Sequence, residues 1–81
     1  MPYRKGALGR AISGLRTERG LSQEVLSGLA GISRSHLAAI ESGLKMPRAD
    51  TLWRIADALE IRASDLVRRA EALDEQTTSK D

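Results

Sequence analysis

Cysteine is absent from this 81-residue chain. That excludes a disulfide framework and any thiolate metal site, and it fits a reducing cytoplasm. A single histidine, His36, cannot anchor a histidine-based metal centre by itself. Phenylalanine is missing and only Tyr3 and Trp53 are aromatic, so Ala, Leu and Ile must fill the core. Small aliphatic side chains favour close helix packing over a β-sandwich. No apolar run approaches the roughly 20 residues needed to cross a bilayer, and the opening MPYRKGALGR lacks a signal-peptide centre. No membrane, metal or cofactor is expected. There is no internal repeat, low-complexity tract or long linker, and 41% hydrophobic against 30% charged residues is ordinary for a soluble helical protein. One compact domain is predicted.

The net charge of +2 hides an uneven distribution. Residues 1–48 carry eight Lys and Arg against Glu18, Glu24 and Glu41, a net of +5. Residues 49–81 carry five basic and eight acidic groups, a net of −3. The first half is therefore the half suited to attract phosphate.

Hydrophobic spacing predicts five helices and no strands. Leu8, Ala11, Ile12 and Leu15 put a first helix over about Ala7–Arg19, stopped by Gly20. Gly9 and Gly14 inside it each cost on the order of 1 kcal/mol relative to alanine, so packing must hold that helix. A second helix starts at Gln23 behind a Ser22 cap, and a third spans about Arg34–Ser42 before Gly43. Pro47 restricts Met46 to extended geometry in the loop that follows. Leu52, Ile55, Ala56 and Leu59 mark a fourth helix, about Ala49–Leu59. Leu66, Val67, Ala70 and Leu73 mark a fifth, about Ala63–Leu73. Residues 1–6 read as an N-terminal arm, residues 7–73 as the folded domain and residues 74–81 as a flexible polar tail.

The segment QEVLSGLAGISRSHLAAIES, residues 23–42, is the most informative. Leu26, Ala30, Ile32, Leu37 and Ile40 are apolar where two short helices must bury against each other and the rest of the domain. Ser27 is small where the helices cross. Gly31 stands where the turn needs positive φ, and Ser33 follows as an N-cap. Together these spacings specify a helix-turn-helix whose second helix is free to enter a DNA groove.

Gly20-Leu21-Ser22-Gln23-Glu24, Leu26, Ala30-Gly31-Ile32-Ser33, Ile40-Glu41-x-Gly43, Pro47 and Thr51-Leu52-x-x-Ile55-Ala56-x-Ala58-Leu59 closely resemble the XRE family. These are the lambda-repressor and Cro-like helix-turn-helix DNA-binding domains. The resemblance covers about residues 7–73. It implies an all-α, compact five-helix lambda-repressor-like fold in which the third helix reads the major groove of double-stranded DNA, usually as a homodimer. The chain departs from the family pattern at several positions: Arg48 and Arg62 stand where Ser or Thr usually cap the last two helices, with Asp50 and Asp65 partly compensating through the helix dipole, and Ser27 replaces the commoner alanine at the helix crossing.

Arg34, Ser35 and Ala39 are the expected base contacts. A guanidinium can bond guanine O6 and N7 together, and an alanine methyl suits thymine. Gln23 sits at a helix N-terminus, where its amide and orphan backbone N–H groups can meet one phosphate, a use the family resemblance supports. Ser33 at the start of the third helix, His36 by resemblance, and Ser42, Lys45 and Arg48 around its end are the other expected phosphate contacts. The resemblance also implies a structural ion pair between Arg16 and Glu41, so Arg16 is not counted among the DNA contacts. Trp53 is expected in a dimer contact or at the core edge, and Val67 and Leu73 on the face towards a partner copy.

The expected function is a sequence-specific transcriptional regulator on an inverted-repeat operator, without an effector. The alternative is an antitoxin-like or protein-interaction module whose main partner is another protein, although residues 74–81 are short and polar for a partner-binding tail. An enzyme is not expected: no nucleophile, base and oxyanion site converge in this sequence.

Overall fold

A computed structural model of the chain describes residues 5–78. It contains five helices: α1 (Lys5–Glu18), α2 (Gln23–Ala30), α3 (Arg34–Glu41), α4 (Ala49–Ala58) and α5 (Ala63–Thr78). α1 lies against α5 and α3, α2 packs on α3 and α4, and α4 closes on α5. Every helix contributes to one core. Leu8, Ile12, Leu26, Leu37, Ile40, Ile55, Leu59 and Leu66 are essentially inaccessible to solvent. Burial of each such side chain contributes about 1.5–3 kcal/mol before the entropy of ordering it. Among the described residues no helix is long and apolar enough to cross a membrane.

Helix starts and stops follow from local chemistry. The Ser22 hydroxyl accepts from the Val25 N–H at 3.0 Å and the Ser33 hydroxyl from the His36 N–H at 3.0 Å, capping α2 and α3. Arg48, at the corresponding place before α4, makes no side-chain cap. Gly31 takes φ +74° and turns the chain from α2 towards α3, its neighbour Ile32 donating back to the Ser27 carbonyl at 3.0 Å. Gly20 and Gly43 end α1 and α3 in the same left-handed way, but α4 ends on Glu60, a non-glycine at φ +60°.

Two boundaries differ from the sequence expectation by more than one residue. α1 starts at Lys5, so residues 5 and 6 of the expected arm are helical; residues 1–4 lie outside the described residues. α5 runs five residues past Leu73, to Thr78, where a frayed tail was expected. The added turn contains no glycine or proline, and Glu75 and Gln76 are good helix formers, so propensity carries the helix beyond its apolar stripe. Residues 79–81 lie outside the described residues.

α4 also corrects the place of Trp53. Its inward stripe is Thr51, Ile55, Ala56 and Leu59, with Leu52 packed at its margin, and this leaves Trp53 on the solvent side with 62% of its surface exposed. Trp53 is not at the core edge. Leu73 is partly buried against its own core, in helical register with fully buried Leu66 and Ala70, whereas Val67 lies off that stripe and is half-buried.

Candidate nucleic-acid interface

The recognition face is built on α3, whose two sides differ sharply. Leu37 and Ile40 are fully buried. Arg34 and Ser35, on the first turn, are exposed, while His36 and Ala39 are half-buried. The burial of two aliphatic side chains anchors eight residues of helix and leaves the polar first turn facing outward.

Hydrogen-bond accounting sorts the residues expected at phosphates, because a phosphate oxygen only accepts. Ser33 accepts from His36 N–H, so its hydroxyl hydrogen is still available; its oxygen lies 3.4 Å from that of Ser35. Ser42 differs, since its hydroxyl donates to the Ala39 carbonyl at 3.1 Å and would have to rotate to serve a phosphate. Gln23 uses one of its two amide hydrogens on Glu41 at 2.9 Å and keeps the other. Lys45 and Arg48, in the loop after α3, are exposed.

Among the described residues no ion pair engages Arg34, Lys45 or Arg48. Arg54, Arg68 and Arg69 each lie near a carboxylate, those of Asp50, Asp65 and Glu18 respectively. The basic groups flanking α3 therefore keep their charge for an external anion, while most of those in the second half are locally neutralised.

Arg16, from the last turn of α1, reaches across to the end of α3. Its Nε donates to Glu41 Oε2 at 2.8 Å, one terminal nitrogen donates to Glu41 Oε1 at 3.1 Å, and the other donates to the Leu21 carbonyl at 2.8 Å. The side chains are only 17% and 6% exposed. The hydrogen bonds that Arg16 donates to Glu41 raise the Arg16 pKa above its already high ordinary value, against the opposing effect of burial, and the Glu41 charge adds to the rise. A raised cation pKa contributes stability that is complete below the ordinary arginine value and lost only above it. The Arg16 contribution is therefore constant at every pH in ordinary use.

Two features of this region went unread in the sequence. Gly9 looks like a weak point in α1, but it is buried against the end of α3. A Cβ there would collide with the carbonyl oxygens of Ile40 and Glu41, coming within 2.6 Å of the latter. Its spacing of seven from Arg16 puts both residues on one face of α1, which is the signal that was available. The second is the exposed Glu18–Arg69 pair, 2.9 Å, linking α1 to α5.

Two short helices meeting at a left-handed glycine turn, the second anchored from behind and polar in front, define a helix-turn-helix domain. A family model described as helix-turn-helix matches residues 12–66. The chain belongs to this family of helix-turn-helix transcriptional regulators. It is 35% identical over 60 residues to an uncharacterized HTH-type transcriptional regulator, y4dJ, of Sinorhizobium fredii, covering 74% of this chain and 78% of that protein. It is 42% identical over 60 residues to the immunity repressor protein of Bacillus phage phi105, covering 74% of this chain but only 42% of the repressor. Among solved structures, the restriction-modification controller protein C.AhdI from Aeromonas hydrophila matches with a TM-score of 0.75 at 34% identity, over 76% of this chain and 94% of that one.

Proposed function

We propose that this protein is a sequence-specific DNA-binding regulator that seats α3 in the major groove of an operator. The observation that carries this reading is the exposed Arg34, without an ion pair among the described residues, on the first turn of a helix whose Leu37 and Ile40 are fully buried. Arg34 bonds a guanine edge through two donors, Ser35 contacts a neighbouring base, and Ala39 offers a methyl to thymine. Gln23 and Ser33 hold phosphates at the start of the motif, with His36 beside them and Lys45 and Arg48 beyond its end; Ser42 joins them after rotating its hydroxyl.

One such helix reads only a few base pairs, so specificity calls for two half-sites about one helical turn apart and a homodimer. Exposed Trp53 of α4 and half-buried Val67 of α5 are the apolar side chains assigned to that interface; Leu73 contributes only its exposed part. The similarity to a phage immunity repressor and a controller protein supports a regulator of this kind.

Selection of the purified protein against a random duplex library at about physiological salt tests the proposal. Enrichment of an inverted repeat is expected. A single unrepeated half-site would keep the DNA function and remove the dimer. No enrichment would refute the reading and favour a protein partner instead.

A further inference from the structure

We infer that Glu41 is a positioning residue for DNA binding: it orients the Gln23 amide so that a donor, not an acceptor, faces the backbone phosphate. The inference rests on the DNA-binding reading above and assigns a second task to a residue that otherwise serves the fold.

Glu41 closes α3, and its side chain is 6% exposed. Both oxygens are engaged: Oε2 by Arg16 Nε, and Oε1 by Arg16 at 3.1 Å and Gln23 Nε2 at 2.9 Å. An ionised carboxylate only accepts, so the glutamine must present its nitrogen to Glu41. In the flipped amide the carbonyl oxygen would meet the carboxylate, and two acceptors would be pressed together. The orientation is thereby fixed, with one N–H held by Glu41 and the second left for a partner. The carboxylate's negative charge would by itself repel a phosphate brought to the remaining donor. Arg16 neutralises that charge, which lets a carboxylate stand so close to a surface that receives phosphates.

The network closes on itself. Arg16 also binds the Leu21 carbonyl, two residues before Gln23, so one guanidinium fixes both the turn leading into α2 and the carboxylate that orients its first side chain. The start of α2 and the end of α3 are joined by this ring, and the phosphate contact is held in register with the recognition helix.

The test is a double-mutant cycle on the operator obtained by library selection, with dissociation constants for the wild type, Gln23→Ala, Glu41→Gln and the double variant. Glu41→Gln keeps the shape and an acceptor for Arg16 but allows either amide orientation at residue 23. Gln23→Ala is expected to weaken binding by about tenfold, the scale of a hydrogen bond to a charged group. Glu41→Gln is expected to weaken binding severalfold in the wild-type background and hardly at all in Gln23→Ala, because it acts through Gln23. An equal loss in both backgrounds would overturn the inference, because a merely structural role is indifferent to residue 23. If Glu41→Gln does not fold, NMR of the unmodified protein decides. One Gln23 amide proton shifted downfield and protected from exchange supports the orientation, and two protons exchanging like those of a free glutamine overturn it. Failure of the wild type to select any duplex would instead sink the DNA-binding reading itself.

Discussion

Replacing Gly9 with alanine should destabilise the protein even though alanine is the better helix former. An added Cβ would lie 2.6 Å from the Glu41 carbonyl oxygen and 2.9 Å from its carbon, and it would also overlap the Ile40 carbonyl oxygen. Restoring ordinary contact requires α1 and α3 to separate by roughly 1 Å. The obstacle is backbone, so no side chain can swing aside. Overpacking of this kind costs about 1–3 kcal/mol. The upper end applies here, and alanine's helix preference returns about 1 kcal/mol of it. The net expectation is a loss of about 1–2 kcal/mol, and each kilocalorie lowers the melting temperature of a domain this size by about 4–8 °C. Gly14→Ala, five residues along the same helix, is the control. Nothing lies within 4 Å of a Cβ there, so only the propensity gain of about 0.5–1 kcal/mol remains and the protein should melt higher. Thermal melts followed by circular dichroism read both variants. A Gly9→Ala protein melting at or above the wild type would refute the packing of α1 on α3.

Glu41→Ala strands the Arg16 guanidinium among half-buried surroundings and should cost up to about 3–5 kcal/mol; both melting temperature and DNA affinity should fall, and an unchanged melting temperature would contradict the clamp. Glu60→Gly should stabilise by up to about 1 kcal/mol, because glycine accepts the positive φ that ends α4 without a Cβ penalty; a lower denaturation midpoint in urea would argue against that strain. Ser33→Ala removes the cap of the recognition helix and should cost about 1 kcal/mol, read as faster amide hydrogen exchange at His36 and its neighbours, with no change in exchange meaning that the cap contributes nothing.

What could be read in the sequence was whatever leaves a local mark. The helix-turn-helix announces itself because Gly31, Ser33 and the aliphatic spacing each answer a local demand, and the structure gives the turn, the cap and the buried stripe at those residues. The end of α4 was legible only from its apolar spacing and not from a stop signal, because its left-handed residue is Glu60 where the other three such positions hold glycine. The end of α5 was misread for the opposite reason: a polar turn without periodicity looks like a tail until its helix propensity is weighed. Trp53 carried two readings, and only the packing of α4 showed that the core takes its neighbours and leaves it outside. The Gln23–Glu41 bond spans eighteen positions, and no spacing rule reaches that far. Gly9 was read only as a cost: its spacing from Arg16 marks the face it lies on, but its benefit lies in the backbone of another helix.

The central claim is that α3 reads bases, and Arg34→Ala tests it most directly. Affinities of the wild type and the variant would be measured on the selected operator and on all single-base changes in one half-site, at several salt concentrations. The account predicts a loss of about 1–3 kcal/mol on the operator together with relaxed discrimination at one base pair, a guanine in the preferred site. A loss that is equal on every duplex, with a shallower dependence on salt, would make Arg34 a phosphate contact and contradict the claim.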